Sequence, residues 1–479
     1  MKLNLNLQLP YLSKVVFRMR KVLFFLLVLS FGQYVGQNKQ ILFGFAELPQ
    51  TLLLNPGAET TYKFHTGVPL LSGVSADFGF SKAVLTDLFS LDHKNINDKI
   101  STVLEALTTR DFLKVNAQVE VLNIGFRVDY KTYISFGFYE EIDAISYYPK
   151  DLITLFYEGD DAYLNKSFSL GQISYKLDAL GVFHMGVSRK VSENLTLGGR
   201  FKVYSSAINI ETASNSGTFT TVPGTDNIYK HYLSNINIYT KSSGLYTYND
   251  ETDTAKVENE NFILNNTLFK GNLGIGFDFG ATYHITPQLK FTGSILDIGF
   301  IHHKKNVESI TAKGNFVSEG IGFEYNQDNP GDYWGQFEAD FDQQVPVDTN
   351  EYSYISWRPT KLNAALEYRF KERRRYNCYN NTYKDYNVDA IGAQLYYVYR
   401  PLYAQLALTG FYQKAITNNF KAKITYTVDD FSKSNIGAGF SAKFGIINFY
   451  GMLDNLLEYS NLSSANSLSL QLGVNIIMN

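Results

Sequence analysis

Cysteine is all but missing from this chain, and the single Cys378 among 479 residues has no internal partner for a disulfide. Placed between Asn377 and Tyr379, it reads as incidental rather than nucleophilic. Charge is also scarce, at 19% against roughly 25% in soluble domains. The net charge of −3 gives no reason to propose nucleic acid as a partner. Beyond the first 40 residues no apolar run of about 18 occurs, which excludes a helical membrane protein. Tryptophan is nearly absent, with 2 residues, whereas Tyr and Phe supply 35 and 36.

What the chain has in place of long apolar runs is alternation. In Leu195-Thr-Leu197-Gly-Gly199-Arg200-Phe201-Lys202-Val203, Leu, Leu, Phe and Val fall on one side and Thr, Arg and Lys on the other. Ile275, Phe277, Phe279, Ala281 and Tyr283 alternate with Gly and polar residues, and so do Leu468, Leu470, Leu472, Val474 and Ile476 near the end. Strand side chains point to opposite faces with period two, so each such strand has one apolar and one wet side. Soluble sandwiches share this pattern. Strand length, about 9–11 residues for a tilted membrane strand, and a secretion signal separate the two readings. An apolar content of 45% fits strands that turn half their residues to a polar lumen.

The leader is in the first 40 residues. Arg20 and Lys21 precede the apolar run Val22 to Phe31, too short to span a bilayer as a helix but suited to a signal peptide. Small residues at Ser30, Gly32 and Gly36 offer cleavage sites, and Met19, directly before the basic pair, is a candidate natural start. Next, Asn55-Pro56-Gly57 stops an apolar stretch with a turn. Residues 81–108 read as helical, with Ile96, Ile100, Val103, Leu104 and Leu107 on one stripe. In a barrel that stripe would bury against the lumen, as a partial plug, or against the rim.

From residue 112 onward the chain reads as hairpins. Connections 190–194 and 285–288 are tight, whereas 211–228, 241–269 and 327–357 are long and polar, like the outer loops of a barrel. A short helix is expected at Pro149–Tyr157. Counting hairpins back from the terminal strand gives no consistent inside–outside assignment for 371–402.

Few motifs carry chemistry. His302-His303 lacks the spaced ligands of a metal site and reads as a solvated strand end. Glu338-Ala-Asp340-Phe-Asp342 lacks the glycine and spacing of a calcium loop. The glycine run Gly271, Gly274, Gly276 enters a strand and no helix follows, so it reads as wall packing rather than a phosphate cradle. Lys371, Arg373, Arg374 and Arg375 form the sharpest charge cluster, able at a membrane rim to bind lipid phosphates through bidentate guanidinium contacts; an ordinary solvated turn is the competing reading. Arg127, Asp129, Arg200, Lys202 and Asp278 are the lumen-lining candidates.

Three stretches resemble an uncharacterised outer-membrane barrel family of Bacteroidetes, domain of unknown function family 5723, similar in style to PorP/SprF and FadL-like barrels. They are Leu54-Asn55-Pro56-Gly57, Leu195 to Lys202, and Asp278 to Tyr283 continuing through Ser294-Ile-Leu296-Asp297-Ile298-Gly299-Phe300-Ile301. Gly57 stands where the family usually has alanine, and His302-His303 where Arg or His then Trp would be expected. The resemblance implies architecture and brings no catalytic residues, cofactor or metal.

The expectation is therefore an all-β protein, a transmembrane antiparallel β-barrel of about 14 strands, within about 12–18, with a small N-terminal helical plug or rim segment. Its expected layout is a signal peptide over 1–36, a plug or rim segment over 37–110 and the barrel over 111–479. Such a barrel, in contact with outer-membrane lipid, is expected to be non-enzymatic and to pass or bind a hydrophobic or small solute. The alternative is an envelope scaffold or secretion accessory that binds other cell-envelope proteins.

Overall fold

The structure, a computed structural model, describes residues 39–80, 94–212, 214–225, 227–249, 254–257, 260–320, 333–377, 382–429, 435–460 and 467–478. The expected signal peptide, Cys378 and the first part of the 81–108 segment lie outside the described residues.

Fourteen antiparallel strands close into one barrel. The first, β1, comes in two pieces, Phe64–Gly67 and Val74–Phe80. It is followed by β2 (Phe112–Arg127), β3 (Thr132–Tyr147), β4 (Ser174–Lys190), β5 (Leu195–Thr212), β6 (Asn272–His284) and β7 (Leu289–His303). The ring continues through β8 (Lys361–Asn377), β9 (Thr382–Val398), β10 (Gln405–Ala415), β11 (Phe420–Asp429), β12 (Asn435–Phe444), β13 (Ile447–Asp454) and β14 (Ser467–Met478). Both pieces of β1 pair with β14 and with β2, Phe64 opposite Met478 and Val74 opposite Leu472, and this seam closes the ring. Between the pieces Pro69 interrupts the strand, because it has no N–H to give the ladder. β1 thus lies inside the 37–110 stretch that the sequence reads as plug or rim.

The alternation decides which side each residue faces. Along β6, Leu273, Ile275, Phe277 and Phe279 are exposed, while Asp278 is fully buried. Leu406 and Leu408 of β10, Ile424 and Tyr426 of β11, and Leu470 and Leu472 of β14 continue the uncovered apolar band. A water-soluble protein does not expose a belt this large; hydrocarbon is the medium it fits. Backbone groups in that medium must be paired, and only a closed ring pairs them all.

The tightest connections, 128–131, 191–194, 285–288 and 416–419 among them, fall on the end of the barrel that carries Phe64 and Met478, the turn end. The longer connections 148–173, 213–271 and 304–360 fall on the opposite, loop end. The link from β8 to β9 is on the turn end, which supplies the assignment for 371–402 that hairpin counting does not give.

The loop end is more ordered than its polar composition suggests. Strands Ser167–Ser169, Ser216–Pro223, Tyr229–Ser243, Val307–Ser318 and Val347–Asn350 extend the sheet beyond the wall. Their apolar faces, with Leu170, Ile236, Phe316 and Val345, bury against Phe337 and Phe341 of a helix at Tyr333–Gln344. Of these elements Ser216–Pro223 lies in the expected loop 211–228, and Val347–Asn350 and the helix lie in 327–357, whereas Tyr229–Ser243 and Val307–Ser318 fall in stretches whose sequence already reads as strand near 229–240 and 307–313. The acidic stretch Glu338, Asp340, Asp342 is on the exposed side of that helix. Helices at Ile96–Ala106 and Lys150–Glu158 touch each other at the same end, where Lys150 Nζ donates to Glu105 O at 3.4 Å.

Phe277→Arg tests the facing. Arginine on the lipid side near the midplane costs roughly 2–4 kcal/mol, so the variant should show a reduced heat-modifiable fraction on gels, while Phe277→Leu should match the parent.

Candidate functional site

The lumen on the turn-end side is filled by residues 39–63, ahead of the first wall strand. Ile41, Leu42, Phe45 and Leu48 pack with Tyr450 and Met452, Leu52, Ala58 and Tyr62 with Tyr133 and Ile477, and Leu53 with Tyr139, Val182 and Tyr204. While the described stripe residues Ile96 to Leu107 belong to the helix at the loop end, the lumen filling within the 37–110 stretch is therefore residues 39–63. The sequence shows it only as an apolar stretch with a turn, because its contacts come from strands hundreds of residues away.

Polar contacts fix the plug to the wall. The Gln50 amide nitrogen lies 2.9 Å from both Glu120 Oε2 and Asn475 Oδ1. Ser294 Oγ donates to Leu54 O at 2.6 Å, Thr282 Oγ1 to Gly57 O at 2.9 Å, and Ser188 Oγ to Ala58 O at 3.1 Å. Asn55-Pro56-Gly57 presses into a notch of the wall where Gly198 and Gly280 stand; a Cβ at either would collide with Pro56 or with Asn55 Oδ1. At the turn-end mouth Glu47 pairs with Lys421, and Glu59 Oε2 is 2.9 Å from His284 Nε2. Burial pushes the Glu47 carboxyl up, but the Lys421 charge beside it holds it below the ordinary value. Burial also lowers the Lys39 ammonium to about 8, against the opposing pull of Glu141.

Next to the plug, ion pairs cross the lumen. Lys202 Nζ is 2.9 Å from Asp278 Oδ2 and 2.6 Å from Asp297 Oδ1, and Lys361 Nζ is 2.9 Å from Asp297 Oδ2. Arg200 is 3.4 Å from Asp278 and also donates to Leu52 O of the plug. From the same side, just ahead of Lys361, Arg358 reaches Glu141 at 2.8 Å and Asp178 at 3.1 Å on β3 and β4, and Arg400, just after β9, reaches Asp143 at 2.5 Å. These cations and carboxylates are nearly all buried and neutralise one another. Two of the acids, Asp178 and Asp143, begin a cross-strand row in which β4 Asp178, β3 Asp143, β2 Asn116, β1 Asp77, β14 Ser469 and β13 Asp454 are successive partners.

Of the sequence-derived lumen candidates, Arg200, Lys202 and Asp278 meet in this network. Arg127 lies apart, at the turn-end rim, where it donates to Thr60 O at 2.7 Å. Asp129 does not face the lumen. It is exposed in the turn after β2, where Oδ1 accepts from the N–H groups of Lys131 at 2.6 Å and Thr132 at 2.8 Å. Of the basic cluster, Lys371 pairs with Asp389 at 2.8 Å; Arg373, Arg374 and Arg375 lie on β8, and their side chains are outside the described residues. His303 is not a solvated strand end. It is buried between Ser243 Oγ and Ser356 Oγ, each at 2.8 Å, and stacks on Tyr354, because the annex strands cover that end of β7. His302 is exposed.

Sequence reasoning missed Glu141, Asp143, Asp178, Asp297, Arg358, Lys361 and Arg400. A signal existed for the arginines: both are Arg-Pro pairs, Arg358-Pro359 and Arg400-Pro401, at strand ends where proline forces extended geometry on its predecessor. Asp297 betrays itself by breaking the alternation of β7. It is a bulge residue with φ of 59°.

The wall changes partner at that bulge. β7 pairs with β8 up to Leu296–Lys361 and then with Tyr354–Trp357 from Phe300 onward. Residues 297–299 and 358–360 are left out of the ladder, apart from Arg358 N–H donating to Gly299 O at 3.0 Å. Below this break the lipid side carries a groove of about 660 Å³, with Gly293, Ala281 and Ala364 against Phe279, Phe291, Ile295 and Leu395. On the inner side is a small cavity of about 40 Å³, bounded by Leu53, Leu296, Asp297 and Lys361. Asn363 borders both.

A closed strand ring with an apolar girdle, a folded plug and a lumen crossed by ion pairs defines a plugged membrane β-barrel. The chain belongs to the family of unknown function DUF5723, which matches residues 56–454. No curated protein matches the sequence. Among solved structures it is similar to a FadL homologue of Pseudomonas aeruginosa, at 9% identity and TM-score 0.44, over 94% of this chain and 100% of that one. It is also similar to the toluene transporter TodX of Pseudomonas putida, at 8% identity and TM-score 0.35, over 93% of each chain. The translocator domain of the autotransporter NalP from Neisseria meningitidis aligns at 7% identity and TM-score 0.32, over 88% of this chain and 90% of that one.

Two variants test the site. Arg358→Ala leaves Glu141 and Asp178 facing each other without their guanidinium, which should cost about 3–5 kcal/mol in urea unfolding; neutralising both acids with Arg358→Met should recover most of it. Gly280→Val should displace Asn55 and raise single-barrel conductance in planar bilayers, with the heat-modifiable gel shift retained.

Proposed function

We propose that this protein is a non-enzymatic barrel of the outer membrane that binds a small hydrophobic solute and passes it through the wall. The observation that carries the reading is the apolar groove of about 660 Å³ on the lipid side, next to the one break in the β7–β8 ladder and backed by a lumen cavity. An axial route is obstructed by the plug and by ion pairs that an apolar solute cannot replace. A solute dissolved in the membrane already sits at the groove and needs no desolvation to enter it. The long connections of such barrels face outward and the short turns face the periplasm, which puts the annex outside the cell.

A second reading, a scaffold for envelope proteins, has the annex in its favour. Its large apolar residues Phe156, Trp334 and Tyr352 are strongly exposed beyond the wall.

Ala364→Phe fills the groove from its floor. In cells carrying the variant, uptake of a small aromatic hydrocarbon should fall about tenfold, equivalent to roughly 1.4 kcal/mol, with barrel abundance unchanged. Unaltered uptake, together with loss of copurifying proteins on Trp334→Ala, would favour the scaffold.

A further inference from the structure

Four aspartates share the inward row on β1, β3, β4 and β13, and three of them have a cation within ion-pair distance. Asp178 has Arg358 at 3.1 Å, Asp143 has Arg400 at 2.5 Å, and Asp77 has Lys114 at 2.6 Å. Asp454 is equally buried, at 3% exposure, yet no cation among the described residues pairs with it. Ser469 hydrogen-bonds its carboxylate, but Oδ1 has no partner. Lys423, two positions before Thr425 on the same inner face of β11, gives its ammonium to the plug, donating to Phe43 O at 2.7 Å.

A second buried oxygen faces the same gap. Thr425 Oγ1 on β11 has no hydrogen-bond partner, and its residue is 1% exposed. The two oxygens are brought together by Gly437 of β12, which lies between them. A Cβ there would be 2.5 Å from Asp454 Oδ1 and 2.5 Å from Thr425 Oγ1, so glycine is what leaves both uncovered. Ile41 of the plug closes the gap from the lumen side. A carboxylate taken out of water is strongly disfavoured unless a charge or donors compensate it, and the network next door shows how this lumen does so elsewhere.

We propose that Asp454 and Thr425 form a binding site for one monovalent cation, either an alkali metal ion or the primary ammonium head of a small solute. The donor set is hard oxygen, and an ionised Asp454 brings to it one negative charge that no cation among the described residues pairs with. That charge balances a monocation, whereas calcium sites gather several carboxylates. The site does not depend on the wall groove or on the solute proposed for it. Because Ile41 seals it, occupancy ties the plug to β11–β13, and the cation stabilises the plugged form.

The test is the heat-modifiability midpoint of the detergent-solubilised full barrel at constant ionic strength. Sodium, potassium and methylammonium chloride are each compared with the bulky N-methylglucamine salt. The parent should melt higher in at least one small cation, with a saturable dependence. A response to sodium or potassium assigns a metal ion, and a response to methylammonium alone assigns an ammonium head. Asp454→Asn should abolish the dependence, and Thr425→Val should weaken the apparent affinity about tenfold, a loss of roughly 1.4 kcal/mol. If Asp454→Asn does not fold, Gly437→Ala, which covers both oxygens, serves in its place. Equal midpoints of the parent in all four salts would overturn the proposal and leave Asp454 as a protonated, neutral carboxyl. An unchanged cation dependence in Asp454→Asn or Gly437→Ala would overturn it as well.

Discussion

Backbone pairing inside hydrocarbon is the constraint from which the rest of this structure follows. Each unpaired N–H or C=O in the bilayer costs several kcal/mol, so a chain that crosses with strands has to close them into a ring. Closure fixes which face of each strand meets lipid, and the inner face is left to collect the polar residues. That lumen is too wide to be filled by wall side chains alone. Residues 39–63 and the ion pairs from Arg358 and Arg400 fill it instead, so plug and charge network are both consequences of the ring that encloses them.

The two fillings differ physically. The plug is held by shape, by hydrogen bonds and, at the turn-end mouth, by the Glu47–Lys421 pair: its turn at Asn55-Pro56-Gly57 fits where Gly198 and Gly280 have no side chains. The network is held by charge, and its members come from opposite walls, with Arg400 and Asp143 separated by 257 positions. Buried ion pairs of this kind add little net stability but are costly to break singly. They fix the distance between walls that a hydrogen-bonded sheet alone would leave free to flatten.

The wall was legible in the sequence because alternation is a local signal: Phe277 outside and Asp278 inside can be assigned from neighbours alone. The helices at Ile96–Ala106 and Lys150–Glu158 were legible for the same reason. The lumen was not. Arg200, Lys202 and Asp278 could be placed on the inner face, but their partner Asp297 sits on a bulge whose one local trace is the break in the alternation of β7. Asp129 was misplaced because alternation was continued past the last ladder pair into a turn. His303 reads as a solvated strand end because its partners Ser243 and Ser356 come from 241–269 and 327–357, stretches that read as long polar loops. Within the 37–110 plug or rim segment nothing local singles out residues 39–63 as the lumen filling, since helical periodicity is visible in sequence and burial inside a distant ring is not.

The seam between β1 and β14 has a temporal consequence. It joins Phe64 to Met478, nearly the largest separation the chain offers, and the entropy of closing so long a loop comes due before the contact is made. The segment that fills the lumen runs straight into β1, so it is tethered to one edge of the seam, and the ring that closes there closes on a filling already attached to it.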